Sequence, residues 1–114
     1  MLTKEAILNS DDLQKELVKI PEWGGEAFVR MLTGAERDLF ESQIVNKTGG
    51  VNMENIRARL VCLTLVDEDG VRLFDDADIK ELGCKSASAL DRVFTVAQRL
   101  NKISDNDVED LAKN

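Results

Sequence analysis

The short stretch PEWGG, residues 21–25, requires the chain to reverse direction tightly at this point. Pro21 holds its backbone φ angle near about −65°, and the two glycines accept positive φ angles that other residues avoid. Residues 17–20 and 27–32 on either side are rich in β-branched and apolar side chains with polar interruptions. The sequence therefore predicts a β-hairpin over about residues 15–32. Because an isolated hairpin is only marginally stable in water, one of its faces must pack on other elements.

Helical patterns dominate the remainder of the chain. Thr33 and Glu36 have the spacing of a capping box, which predicts a helix over 34–46. Ser86 precedes a stretch in which apolar residues recur at intervals of three and four, which predicts a helix over 87–101. Further helices are predicted at 4–9 after Thr3, at 52–66 with a buried apolar second half, at 75–82 ended by Gly83 in a C′ position, and at 105–112.

These elements predict a mainly α fold of the α+β class, with about five helices and one N-terminal β-hairpin. A chain of 114 residues has the length of one compact domain. We therefore expect a single domain over 1–114, with the hairpin at about 15–32 and a helical body at about 34–113.

The charge of the chain excludes two classes of partner. A net charge of −7 argues against binding to nucleic acid or to an anionic membrane surface, since both depend on clustered Lys and Arg. No apolar run approaches the roughly 20 residues that span a bilayer, and the N-terminus MLTKEAILNSDD lacks the pattern of a signal peptide. We expect a cytoplasmic protein.

The sequence offers little for catalysis or metal binding. It contains no His, which removes the commonest general base, the commonest zinc ligand and the usual activator of a Cys nucleophile. The acidic stretch 67–78 does not match a calcium loop, because Gly70 falls at its fourth position and the twelfth residue is Asp78. We expect no catalytic residue, no cofactor and no metal ion.

Charge is segregated along the chain. Residues 67–81 contain seven acidic and two basic residues, whereas 85–102 contain four basic and one acidic residue. Such runs are either solvated faces or complementary patches through which copies of the chain stack head to tail.

Trp23 is the only Trp of the chain. At a hairpin tip a large aromatic side chain either folds back on the body or is presented as an interface anchor. If Trp23 is presented, the neighbouring Phe28 and Met31 extend an apolar patch, and these three are the predicted partner-binding residues.

Two segments, IPEWGGEAFVRMLTGAERDLFE at 20–41 and NIRARLVCLTLVDEDGVRLFDDADIKELGCKSASALDRVFTVAQRLN at 55–101, resemble the tail assembly chaperones of long-tailed bacteriophages and prophages. The resemblance extends over nearly the whole chain. It implies a protein that keeps the tape measure protein soluble and extended while tail tube subunits polymerise around it, and that is absent from the mature virion. It also implies a longer form, made by ribosomal frameshifting, that recruits the tail tube protein.

Three alternatives belong to other classes. One is a structural phage component, such as a head–tail connector or a minor tail protein that stays in the virion. Another is an acidic mimic of DNA, which is disfavoured because the acidic runs alternate with basic ones. An enzyme is disfavoured by the missing catalytic groups.

Overall fold

A computed structural model describes residues 1–45 and 55–103 of the chain. Within them it has five α-helices, a three-stranded antiparallel sheet and two short 3₁₀ turns, at Pro21–Trp23 and Asp76–Asp78. The helices and strands follow in the order α1 Lys4–Leu8, β1 Lys15–Ile20, β2 Gly25–Arg30, α2 Gly34–Ile44, α3 Ile56–Thr64, β3 Leu65–Val66, α4 Ile79–Leu82 and α5 Ala87–Asn101. This confirms the predicted α+β class and its N-terminal hairpin.

Strands β1 and β2 form the predicted hairpin, and they pair from Lys15↔Arg30 at its open end to Ile20↔Gly25 at its tip. Because successive side chains of a strand point to opposite faces, the hairpin has an apolar inner face and a mixed outer face. The inner face bears the buried side chains of Val18, Ile20 and Val29. On the outer face Leu17 lies directly opposite Phe28.

Helix α5 packs on the inner face of the hairpin. Its buried side chains Leu90, Val93 and Ala97 belong to the same apolar cluster as those of β1 and β2. At the tip, the Arg92 guanidinium binds the Glu22 carboxylate. At the other end Arg99 binds Glu16. The N-terminus of α5 therefore points toward the hairpin tip, and the helix runs along the full length of the hairpin.

The open end of the hairpin is joined to α2 and α5 by buried polar contacts. The Asn101 side-chain oxygen accepts a hydrogen bond from the Leu32 backbone N–H at 2.7 Å, and its amide donates to the Ala97 carbonyl. The predicted capping box of α2 is present between Thr33 and Glu36. The Glu36 carboxylate also receives two hydrogen bonds of 2.8 Å from Arg30.

Helix α3 is the buried centre of the fold, as predicted, and seven of its nine residues are buried. The predicted helix over 52–66 is nevertheless wrong at its end. Leu65 turns to an extended conformation, and Leu65–Val66 form β3, which pairs with Val29 and Phe28 of β2. Pairing with β2 supplies backbone hydrogen-bond partners that a helix would have supplied locally, so tertiary contacts override the helical propensity here.

The role predicted for Gly83 is also wrong. Its φ angle is −64°, within the right-handed helical region, so it does not end α4 through a left-handed C′ conformation. A Cβ atom at this position would lie 2.3 Å from the Asn55 side-chain oxygen. Gly83 is needed for space, because Asn55 packs against its Cα. The predicted helix over 105–112, like residues 46–54, lies outside the described residues.

The contact between Arg30 and Glu36 makes stability depend on pH. Burial raises the pKa of Glu36, but the hydrogen bonds from Arg30 and from the Thr33 backbone outweigh burial, so the pKa of Glu36 lies below its ordinary value. A carboxyl with a lowered folded-state pKa stabilises the fold above its unfolded-state pKa of about 4.3, and this contribution is lost as pH falls through the folded-state value.

We therefore expect the free energy of unfolding of Glu36→Gln to fall less than that of the wild type between about pH 5 and pH 3. Urea unfolding at several pH values measures this difference. Glu41→Gln is the matched control, since Glu41 lies on the same helix in a more exposed pair with Arg37. It should reproduce the pH slope of the wild-type chain. If the free energy of unfolding depended on pH equally in Glu36→Gln and wild type, the ionised Glu36 carboxylate would not have the stabilising role assigned to it.

Candidate partner-binding site

The hairpin tip places Trp23 beside the helical body. Pro21–Trp23 form a single 3₁₀ turn, and Gly24 follows in the left-handed conformation with φ of 73°. The Gly24 N–H donates to the Pro21 carbonyl at 3.1 Å. The hydrogen bond from Arg92 to Glu22 then fixes this turn on α5. The backbone N–H of Glu22 and the Arg92 guanidinium lower the pKa of the Glu22 carboxyl, which keeps it ionised for this contact.

Trp23 forms one wall of a surface groove, which we call the tip groove. Its apolar walls are Trp23, Phe74 and Leu82, and its polar rim is formed by Asp78, Glu81 and Lys85. The volume of the groove is about 380 Å³. Binding pockets of proteins range over about 300–1,000 Å³, so the tip groove has the size of a binding site.

Trp23 is half-buried and packs against the apolar cluster, so it is neither enclosed in the core nor fully presented to solvent. Its indole N–H is inaccessible to solvent and finds no hydrogen-bond acceptor among the described residues. A buried donor without an acceptor costs about 1–3 kcal/mol, and such groups are rare in native proteins. Packing of the ring therefore outweighs an unmet hydrogen bond in the free chain.

The acidic segment 67–78 consists of turns and caps, and of its carboxylates only that of Asp78 lines the tip groove. The Asp67 carboxylate accepts hydrogen bonds from the backbone N–H groups of Asp69 and Val71. Asp75 and Asp78 form a capping box around the second 3₁₀ turn. These carboxylates stabilise a turn after β3 and the start of the helical segment predicted at 75–82. In the parts of the chain that the structure describes, no group of side chains has the arrangement of a metal site.

Arg72 connects this acidic segment to α3. Its guanidinium donates to the Cys62 carbonyl and to the Cys62 sulfur, each at 3.0 Å, and it lies 3.5 Å from Asp76. Burial raises the pKa of the Cys62 thiol, more than the hydrogen bond from Arg72 lowers it. A buried thiol with a raised pKa is a weak nucleophile, so Cys62 has a packing role here.

Phe28 lies on the outer face of the hairpin. It is half-buried, and the Lys15 ammonium lies 4.6 Å from the centre of its ring. Leu17, its cross-strand neighbour, is 48% exposed. We call Leu17, Phe28 and Lys15 the outer hairpin surface. Met31 is half-buried just after β2, where its N–H donates to the Gln14 carbonyl.

The three predicted partner-binding residues thus lie in three settings: Trp23 in the tip groove, Phe28 on the outer hairpin surface and Met31 at the open end of the hairpin. The structure instead brings Trp23 together with Phe74 and Leu82, which sequence reasoning missed. These two residues come from a distant part of the sequence, and their apolar character alone did not distinguish them from core residues.

Helix α1 is a further exposed apolar element. None of its residues is buried, and Leu2, Ile7 and Leu8 are all exposed. Its N-terminal Thr3 hydroxyl accepts a hydrogen bond from the Ala6 N–H, as predicted. Among the described helices, none combines the length and the apolar character required to cross a bilayer.

Comparisons with known proteins agree with this architecture. The family model described as phage tail assembly chaperone matches residues 2–114. The solved structure of the bacteriophage HK97 tail assembly chaperone aligns with a TM-score of 0.63 at 15% sequence identity. The alignment covers 89% of this chain and 95% of that one, which shows a shared fold. The comparison with curated proteins gave no match.

The geometry of the tip predicts different effects on stability when each of its two glycines is replaced by alanine. A Cβ atom would meet no other atom within 4 Å at either Gly24 or Gly25, but only Gly24 has a positive φ angle. Gly24→Ala should destabilise the chain by about 1 kcal/mol, because L-residues resist the left-handed conformation. Gly25→Ala, the matched control, should be neutral or slightly stabilising. Urea unfolding measures both, and equal losses would contradict the observed turn.

Proposed function

The chain belongs to the phage tail assembly chaperone family, and we propose that it keeps a tape measure protein soluble and extended while the tail tube is assembled. In this proposal the chain works in the cytoplasm of the bacterial host, as a binding protein without catalysis, and is left out of the mature virion.

The observation that carries this proposal is the tip groove. Trp23, Phe74 and Leu82 offer an apolar contact on a chain that otherwise carries a strong negative charge. Grooves of this kind accept the apolar face of an amphipathic helix. We assign Trp23, Phe28 and Met31 to client contact, with Trp23 acting from the groove and Phe28 from the outer hairpin surface.

Charge and weak individual contacts suit a chaperone that must later be displaced. A net charge of −7 keeps the protein and its bound client from aggregating. A groove of this size contacts only a short segment of a client. Many copies on one long client then hold it through avidity, and each copy leaves readily when tube subunits arrive.

We further propose that copies of the chain self-associate into stacked or ring arrays along the client. The exposed apolar side chains of α1 favour this. The basic run 85–102 contributes less than its sequence suggests, because Arg92 and Arg99 are engaged within the chain by Glu22 and Glu16.

A longer form of the protein completes the proposal. We propose that ribosomal frameshifting adds a C-terminal extension to a minority of copies and that this extension recruits the tail tube protein. The support for this form is the family to which the chain belongs.

Co-expression with the tape measure protein of the same phage tests the chaperone role. We expect the wild-type chain to move the tape measure protein from the insoluble to the soluble fraction, and the double variant Trp23→Ala/Phe28→Ala to lose most of this effect. Leu39→Ala is the matched control, since it removes a 39% exposed apolar side chain from α2. It should act as the wild type does.

Two results would separate the components of this proposal. If the double variant folds and still solubilises the client, contact lies elsewhere and the assigned residues are wrong. If the wild-type chain leaves the client insoluble, the chaperone role itself is wrong. Circular dichroism of each variant establishes whether it is folded.

Mass spectrometry of the proteins made from the native gene, with its natural codons, tests whether the longer form exists. We expect a minor product that shares this N-terminus and carries a different C-terminal extension, and we expect neither product in purified virions. A single product would contradict frameshifting. Stoichiometric amounts of the chain in virions would instead indicate a connector or minor tail protein.

A further inference from the structure

We propose that the tip groove selects basic amphipathic helices, so that the client segment it binds combines an apolar anchor with flanking Lys or Arg residues. This inference rests on the proposed chaperone function and specifies the chemistry of the segment recognised. The anchor enters between Trp23, Phe74 and Leu82, and the cations of the same segment face the acidic rim.

The walls of the groove define the apolar part of this specificity. Leu82 is buried, whereas Trp23 and Phe74 are half-buried, and all three line the groove. An aliphatic or aromatic side chain that packs against them removes apolar surface from water, which favours binding. A helix that lies across the groove can insert one or two side chains among these walls.

The rim of the groove defines the charged part of this specificity. Residues 75–81 contain four carboxylates and one Lys, and two of these carboxylates, those of Asp78 and Glu81, line the groove. Asp78 accepts a hydrogen bond from the Asp75 N–H, and Asp76 lies near Arg72. Among the described residues, Glu81 forms no ion pair, and it is exposed. The Lys85 ammonium also lines the groove, so the charged side chains of the rim carry a net charge of −1. A rim of this charge attracts a cation and repels an acidic segment.

The indole N–H of Trp23 adds a third element. Among the described residues it is the one buried side-chain donor that lacks an acceptor, and solvent does not reach it. A bound segment that shifts the ring toward the groove brings this N–H within reach of an oxygen of the segment.

Trp23 is also the reporter for the test, because it is the only Trp in the chain. The probes are two synthetic peptides of about 18 residues, long enough for a marginal helix. Both have the same leucine stripe, with lysine on the polar face of one and glutamate on the polar face of the other. We expect the Leu/Lys peptide to change the fluorescence of Trp23 saturably, and the Leu/Glu peptide to leave it unchanged.

A charge reversal at the rim distinguishes binding in the groove from the general attraction of a cationic peptide to an acidic protein. Glu81→Lys should weaken binding of the Leu/Lys peptide about fivefold at low salt, and this difference should shrink as salt is added. Asp12→Lys is the matched control, because it makes the same change of charge in the exposed loop before β1, at the open end of the hairpin. It should weaken binding less than about twofold.

Equal binding of the two peptides would overturn the inference, and so would equal effects of Glu81→Lys and Asp12→Lys. The co-expression assay separates this failure from failure of the chaperone role. If Glu81→Lys solubilises the tape measure protein as well as wild type does, the chaperone role stands and selection by the rim is wrong. If the wild-type chain binds the Leu/Lys peptide but does not solubilise the client, the groove is a binding site and the chaperone role is wrong.

Discussion

Packing of α5 on the inner face of the hairpin is the interaction on which the rest of the structure depends. A two-stranded hairpin is not stable alone in water, and α5 covers its buried side chains Val18, Ile20 and Val29. The same helix fixes both ends of the hairpin, through Arg92 with Glu22 at the tip and through Asn101 with the Leu32 N–H at the open end. The position of Trp23 follows from this arrangement, since the tip cannot move away from α5 without exposing the inner face.

As a consequence, the two faces of the hairpin have different roles. The buried side chains of the inner face stabilise the fold by packing on α5. The outer hairpin surface and the tip groove keep apolar side chains at the boundary with solvent, in Leu17, Phe28 and Trp23. Another surface can therefore cover these boundary side chains without rearrangement of the core.

The same arrangement explains why part of the candidate site was predictable and part was not. Trp23 was identified from the sequence because a large aromatic next to a Gly-Gly turn is placed at a hairpin tip by local geometry alone. Phe74 and Leu82 were missed, because their position beside Trp23 depends on the path of the chain from α3 through the turn at Gly70 to α4. That path is held by Arg72 contacts to Cys62, which no local pattern reveals.

Interactions between residues close in sequence determined several elements of this structure. The reversal at PEWGG, the caps at Thr3, Thr33 and Ser86, and the extent of α5 all depend on residues within a few positions of each other, and each was correct in the sequence prediction. Tertiary structure alone decided the rest. Leu65–Val66 became a strand because β2 offered backbone partners, Gly83 was required because Asn55 packs on it, and the tip groove exists because α4 comes to lie beside the hairpin tip. Each of these depends on contacts between residues far apart in sequence, and the free energy of such contacts is absent from any local pattern.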